Sequence, residues 1–348
     1  MLSSEKIAYD FTLSLLATSV IILILVLIFF CRKKPVQSEE TMNSLKQSAP
    51  QYPLTDIDAA TDGFNPRIVI GKGRLGTVYA AVLPNKDLVA VKRIHPSLVL
   101  SNASFGFSSV LKSLSLAQHP NIVPILGFSQ GPGERIIVME FVGMASLDYY
   151  LHENPDRGSL LDWRRRVRIA AGAARGLHYL HEKMVPNVVH GCLKASNVLL
   201  DTKFCAKICD YGLSFLAPNE KRGLLGYVDD EYWGGGGGRG AGGGGGGGGG
   251  GCKGSDVYGL GVVLLEILSG RRSEEGVVVK WALPLIKEMK VSEILDKRLE
   301  MPSDLKPLVR LAKVALACVG NSRKSRPTIS HVAAILSSLE AELCSAYG

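Results

Sequence analysis

Strand patterns come first in this chain and helix patterns later, and that one-way order limits the possible folds more than any other feature. From residue 66, two β-rich runs, IVIGKGRLGTVYAAVL (68–83) and DLVAVKRI (87–94), are interrupted by Gly and turn residues, as antiparallel strands with a tight connection require. A helical segment, FGFSSVLKSLSLAQ (105–118), and two further strand-like runs, IVPILGF (122–128) and RIIVMEFV (135–142), follow, and after residue 146 helical patterns dominate. Segregated strands and helices in one continuous chain predict an α+β protein with two lobes, a small β-rich one joined to a larger helical one.

With 348 residues and 46% hydrophobic composition, the chain can bury a sizeable core. Its seven cysteines are odd in number and scattered, without a CxxC pair, which argues against both a zinc site and a disulfide framework. A formal charge of +8 attracts polyanions. No nucleic-acid module accompanies that charge, so nucleic acid is not an expected partner. The densest basic run, Arg164, Arg165, Arg166 and Arg168, lies in a helical pattern whose apolar positions include Val167, Ile169, Ala173, Leu177 and Leu180, and it reads as a solvated face.

From Phe11 to Cys31 there are 21 residues without a charge, enough to cross a bilayer as a helix, which takes about 20. A secretory signal fits poorly, because no basic region precedes the run and no small-residue cleavage site follows it. Arg32, Lys33 and Lys34 follow the run directly, so the positive-inside rule places residues 1–10 outside and everything after residue 31 in the cytoplasm. Residues 32–52 read as a juxtamembrane linker and 53–340 as the folded domain. Within that domain, residues 234–251 are glycine save for Arg239 and Ala241, and are expected to form a disordered loop with no chemistry of its own.

The chemistry begins at Gly71-Lys72-Gly73-Arg74-Leu75-Gly76-Thr77-Val78, a G-x-G-x-x-G-x-V pattern lying between two strands. Alone it is a weak signal, since glycine clusters mark many turns. Fourteen residues after Val78, Val89-Ala90-Val91-Lys92 ends a strand in lysine. A glycine hairpin lets backbone N–H groups approach phosphate, and the lysine adds a point charge to the α and β phosphates. Further along, in order, stand HPNIV (119–123), HGCLKASN (190–197), Asp210-Tyr211-Gly212, DDEY (229–232) and SDVYGLGVVLLEILSG (255–270).

Together these segments resemble a eukaryotic protein kinase domain. YPLTDIDAATDGFN (52–65), LDWRRRVRIAAGAARGLHYLHE (161–182), VVKWALPLI (278–286) and SRPTISHV (325–332) narrow the likeness to the plant receptor-like and receptor-like cytoplasmic kinases of the Pelle-related group. The resemblance implies ATP and Mg²⁺ as ligands, other kinases or signalling proteins as partners, and a single-pass location in the plasma membrane. It implies that Gly71, Gly73, Gly76 and Val78 cover the nucleotide, that Ala90 borders the adenine and that Lys92 pairs the phosphates. Met139, Glu140, Phe141 and Val142 match the gatekeeper and the hinge that bonds the adenine edge. Lys194 matches the γ-phosphate lysine of serine/threonine-type loops, and Asn197 and Asp210 match the metal ligands. Glu231 and Arg326 match an ion pair that ties the activation segment to the helical lobe.

Three departures bear on activity. Cys192 stands where the catalytic loop keeps its aspartate, and Gly191 where it keeps an arginine. A thiol with a pKa near 8.5 is mostly neutral at pH 7 and does not orient a hydroxyl as a carboxylate does; general-base participation is typically worth about 10²–10⁴ in rate. Between Asp87 and Glu134 there is no Asp or Glu at all, and Val110 falls where the family keeps the glutamate partner of Lys92. Asp210 then becomes the nearest counter-charge for Lys92, in competition with Mg²⁺. From Asp210 to Glu231, apart from Tyr211 of the Asp-Tyr-Gly motif itself, only Ser214 and Tyr227 offer hydroxyls. These losses lead to an expected pseudokinase that binds ATP weakly and acts as a signalling scaffold, with an active serine/threonine kinase as the alternative.

Overall fold

The computed structural model describes residues 48–100, 106–154, 160–217, 223–229, 231, 252–274 and 276–346, together with Leu16, Thr18 and Ser19. The expected anchor at 11–31, save those three residues, the linker up to residue 47 and the glycine run at 234–251 lie outside the described residues. Among the described residues, no helix is long and apolar enough to cross a membrane.

The first lobe is a five-stranded antiparallel sheet in the order β1-β2-β3-β5-β4, built from Val69–Lys72 (β1), Gly76–Val82 (β2), Leu88–Ile94 (β3), Ile125–Gly131 (β4) and Glu134–Glu140 (β5). Side chains alternate between the faces of a strand, and here the alternation sorts core from site. On β3, Val89 and Val91 join the outer core with Ile57 of helix α1 (Leu54–Ala60), whereas Ala90 and Ile94 pack into the main core on the other side. Lys92 shares the face of Ala90 and Ile94, so its ammonium is directed toward the second lobe by register alone.

The segment leading into α1 protects the exposed edge of this sheet, which would otherwise invite pairing with another chain. The Tyr52 N–H donates to the Phe128 carbonyl at 2.8 Å, and the Phe128 N–H donates to the Pro50 carbonyl at 3.1 Å. Gly127 is required beneath this segment, because a Cβ there would lie 2.2 Å from the Tyr52 ring. Ala49 is buried and its N–H donates to Ser115 Oγ, just beyond helix α2 (Phe107–Leu114). The folded unit therefore already includes Ser48 to Tyr52.

The second lobe is helical, with α3 (Trp163–His178), α4 (Lys253–Ser269), α5 (Val277–Lys287), α6 (Lys306–Cys318) and α7 (Ile329–Ala346), plus a two-stranded ribbon, Val198–Leu200 (β6) and Ala206–Ile208 (β7). Asp162 caps α3 by accepting from the Arg165 N–H at 2.7 Å. Helix α4 is apolar around almost its whole circumference and buried to match, as a central core helix must be.

The basic run at the start of α3 is not a solvated face. Arg166 is wholly buried, because all sides of its guanidinium are met: Nε donates to Leu161 O at 2.9 Å, Nη1 to Ile267 O at 2.7 Å and Nη2 to Asp296 at 2.7 Å. Burial lowers its pKa, and Asp296 opposes that shift. Arg165 lies over the Phe204 ring at 4.6 Å, and Arg168 approaches Glu340 at 3.8 Å. The charge run hides a structural cation whose partner lies 130 residues away.

Candidate functional site

The sheet and the helical lobe enclose a cavity of about 690 Å³, within the usual range for small-molecule sites. Every residue assigned to the nucleotide cleft from the sequence lines it except Gly76: Gly71, Gly73, Val78, Ala90, Lys92, Met139, Glu140, Phe141, Val142, Cys192, Lys194, Asn197 and Asp210 meet there. Gly76 instead serves the roof's own packing, since a Cβ on it would fall 2.0 Å from the Arg93 carbonyl of β3. Sequence patterns missed Arg74, Leu199 and Tyr149, which also line the cavity. Arg74 sits within the glycine motif, but only its position in space makes it part of the site.

The loop from His190 to Asn197 is anchored from below. Asp256 of α4 accepts from the backbone N–H groups of His190 at 2.7 Å and Gly191 at 2.8 Å, and its carboxylate lies 2.8 Å from His181 Nε2. His190 is fully buried, and that burial lowers its pKa so that the ring stays neutral. The backbone of Gly191 is left-handed at φ 82°, a conformation that glycine adopts without strain. A Cβ there would also meet Ser214 Oγ at 3.0 Å. Asn197 Nδ2 donates to the Cys192 carbonyl at 2.9 Å, closing the loop on itself. The loop thus keeps its shape although two of its charged side chains are replaced.

Cys192 is buried in a small apolar cluster with Leu224, and Val228 packs against that cluster. Burial pushes its thiol pKa up, over the opposing pull of Lys194 and Arg74. A thiol that burial keeps protonated does not accept the proton of an acceptor hydroxyl as a carboxylate would. Lys194 donates to the Gly223 carbonyl at 3.3 Å, again within that segment.

Lys92 Nζ donates to both oxygens of Asp210, at 2.6 and 2.5 Å. Burial works against ionisation of Asp210, but the charge and hydrogen bonds of Lys92 outweigh it and hold the carboxyl below the usual carboxylate range. Asp210 also has a left-handed backbone at φ 63°, an uncommon state for a residue with a side chain and typical of functional sites. Val110 of α2 is partly buried against the main core and offers Lys92 no charge.

The anchor of the activation segment differs from the sequence expectation. Arg326 pairs with Asp229 rather than Glu231, and Asp229 also receives both Nε and Nη2 of Arg323, at 3.0 and 2.8 Å. Glu231 is half exposed and, among the described residues, meets Arg323 alone, accepting from its backbone N–H at 3.3 Å and lying 3.7 Å from its Nε. The physical reason is that Asp229 is a short carboxylate, 4% exposed and directly over the buried guanidinium, so it takes the contact first. Tyr227 donates to Glu266 at 2.8 Å, which buries its hydroxyl as a structural bond.

A glycine-rich hairpin over a strand lysine, facing an anchored loop across an interlobe cavity, defines a nucleotide cleft of the two-lobed kinase type. The chain belongs to the protein kinase domain family, whose sequence profile matches residues 64–335. Its relatives include three proteins of Arabidopsis thaliana: the serine/threonine-protein kinase-like protein CCR2 (35% identical over 82% of this chain), the leucine-rich repeat receptor protein kinase EMS1 (34% over 80%) and phytosulfokine receptor 1 (34% over 78%). The chain spans only 34%, 23% and 27% of the lengths of these relatives. Among solved structures, the pseudokinase domain of BIR2, an immune regulator of the RLK/Pelle family, superposes with a TM-score of 0.68 at 30% identity, covering 86% of this chain and 92% of that one.

Protein kinase domains generally bind ATP and Mg²⁺, and the two ligands fare differently here. The cavity and its glycine roof fit a nucleotide. The metal position does not fit a divalent cation as arranged, because Mg²⁺ needs carboxylate oxygens and both oxygens of Asp210 are taken by Lys92. Among the described residues, no group of three or more His, Cys, Asp or Glu side chains is placed to hold a metal.

Proposed function

We propose that this chain is a catalytically impaired receptor-like kinase-fold protein that binds ATP weakly and acts as a signalling scaffold at the membrane. The observation that carries the proposal is Cys192: where a kinase places its general base, this chain has a buried thiol closed in by Leu224 and Val228. The missing partner for Lys92 adds to it. The likeness to the BIR2 pseudokinase domain supports the same direction.

In this role the protein docks another kinase or its substrate and shifts that partner's conformational equilibrium. The uncharged run 11–31 followed by Arg32, Lys33 and Lys34 supports single-pass anchoring in the plasma membrane, with the kinase fold on the cytoplasmic side.

The retained glycine roof, Lys92, Lys194 and Asn197 favour the alternative, an active serine/threonine kinase that works by electrostatic stabilisation alone. A phosphotransfer assay on the full chain decides between them, with wild type compared to Lys92→Ala on itself and on a generic protein substrate. The scaffold reading expects labelling at background in both. Ordinary turnover that Lys92→Ala abolishes would overturn it.

A further inference from the structure

The charges lining the cleft are unevenly satisfied. Four carboxylates line it, and each is matched by a cation: Asp210 by Lys92, Glu140 by Lys207 at 2.9 Å, and Asp148 and Glu153 by Arg272 at 3.1 and 2.8 Å. The cations near Cys192 are not matched in the same way. Arg74, in the glycine hairpin, donates from Nη1 to the Ala217 carbonyl at 3.2 Å, and Lys194 to the Gly223 carbonyl at 3.3 Å. Among the described residues, neither forms an ion pair. Among the described residues, this end of the cavity thus has two positive side chains held by neutral oxygens and no carboxylate left for a metal.

We infer that the cleft takes a nucleoside triphosphate without a divalent cation, and that Arg74 supplies the counter-charge to the terminal phosphates. The inference rests on the reading of the cleft as a nucleotide site. Arg74 is placed for the task, since it hangs from the hairpin above the phosphate path and reaches across to the activation segment. A hydrogen bond to a charged acceptor is roughly twice as strong as one to a neutral acceptor. The guanidinium therefore exchanges the Ala217 carbonyl for phosphate oxygens when they arrive, and its planar fork suits them. Lys92 needs no such exchange, because Asp210 already neutralises it. Mg²⁺ contributes nothing to this arrangement: it would have to break the Lys92–Asp210 pair for a ligand, and on the nucleotide it cancels the charge that Arg74 and Lys194 attract.

Calorimetric titration of ATP into the full chain in detergent, once with EDTA and once with excess MgCl₂, tests the inference. ATP is expected to bind in EDTA at least as tightly as in MgCl₂. Arg74→Ala should weaken ATP binding in EDTA about tenfold, the size of one lost charge-assisted contact. Arg74→Lys should recover part of that loss, and AMP, which lacks the terminal phosphates, should bind wild type and Arg74→Ala alike. Binding that appears only with MgCl₂ would overturn the metal-free mode, and wild-type affinity in Arg74→Ala would overturn the counter-charge role of Arg74; either leaves the nucleotide site standing. Absence of ATP binding in both buffers would remove the nucleotide site and this inference together. That last result would also remove the weak ATP binding of the proposed function while leaving its scaffold role standing, whereas the first two leave the phosphotransfer comparison untouched.

Discussion

Lys92 of β3 and Asp210 are joined across the cleft by two hydrogen bonds from one ammonium, at 2.6 and 2.5 Å, and the sheet lobe and the helical lobe are tied through that pair. Removing one member of a buried pair leaves an uncompensated charge, at a cost of about 3 kcal/mol or more, whereas removing both is much milder. Lys92→Met and Asp210→Asn are each expected to lower the stability to urea, and the double variant to lose less than the sum. The pH dependence follows from the depressed pKa of Asp210. The stabilisation is complete above the unfolded carboxyl value of about 3.9 and fades as pH falls through the lower folded value. A coupling of zero at neutral pH in this double-mutant cycle would show that the contact carries no energy.

Restoring the catalytic carboxylate at Cys192 is expected to do little by itself. In Cys192→Asp the new carboxyl lies against Leu224 and Val228, a burial that costs about 1–3 kcal/mol without a partner. Phosphotransfer should stay close to background. Adding Val110→Glu gives Lys92 a second counter-charge and frees Asp210, so the double variant should label a protein substrate measurably faster than the single one. Equal labelling by the two variants would show that the charge missing from α2 is not limiting.

What the sequence made legible is what is local. The glycine spacing, the strand that carries Lys92 and the run from His190 to Asn197 each carry their geometry within a few residues, and every residue assigned to the cleft except Gly76 lines one cavity. What stayed hidden depends on distant partners. Arg166 resembles the other arginines of its run until Asp296 and the Ile267 carbonyl are brought beside it. Arg74 belongs to the site only because Ala217, 143 residues later, folds beneath it. Asp229 and Glu231 are equally acidic in the sequence, and only depth of burial separates the structural carboxylate from the exposed one.

Thiol chemistry should divide the cysteines by burial. Burial raises the pKa of Cys192 and pushes that of Cys318 up to about 12, so both remain protonated near neutrality and are poor nucleophiles. Cys205, Cys252 and Cys344 are only half-buried. In native protein, iodoacetamide followed by peptide mass spectrometry should modify those three first, with Cys192 and Cys318 at least about tenfold slower until denaturant is added. Rapid labelling of Cys192 in the native state would mean that Leu224 and Val228 do not enclose it.

The anchor beneath the activation segment gives the sharpest contrast between two carboxylates two residues apart. Asp229→Ala leaves the buried Arg326 guanidinium without its charge partner and should cost about 3 kcal/mol or more. Glu231→Ala removes a half-exposed contact to Arg323 and should cost about 0.5 kcal/mol or less. Burial disfavours the ionised form of Asp229, yet hydrogen bonds from Arg323 and Arg326 outweigh it and hold its carboxyl below the usual range. Its stabilisation is therefore full above about pH 4 and is lost as pH falls through the depressed value. Urea unfolding of wild type and Asp229→Ala should show a wide gap at neutral pH that closes in acid. A gap that stays constant across that range, or one matched by Glu231→Ala, would return the anchoring role to Glu231.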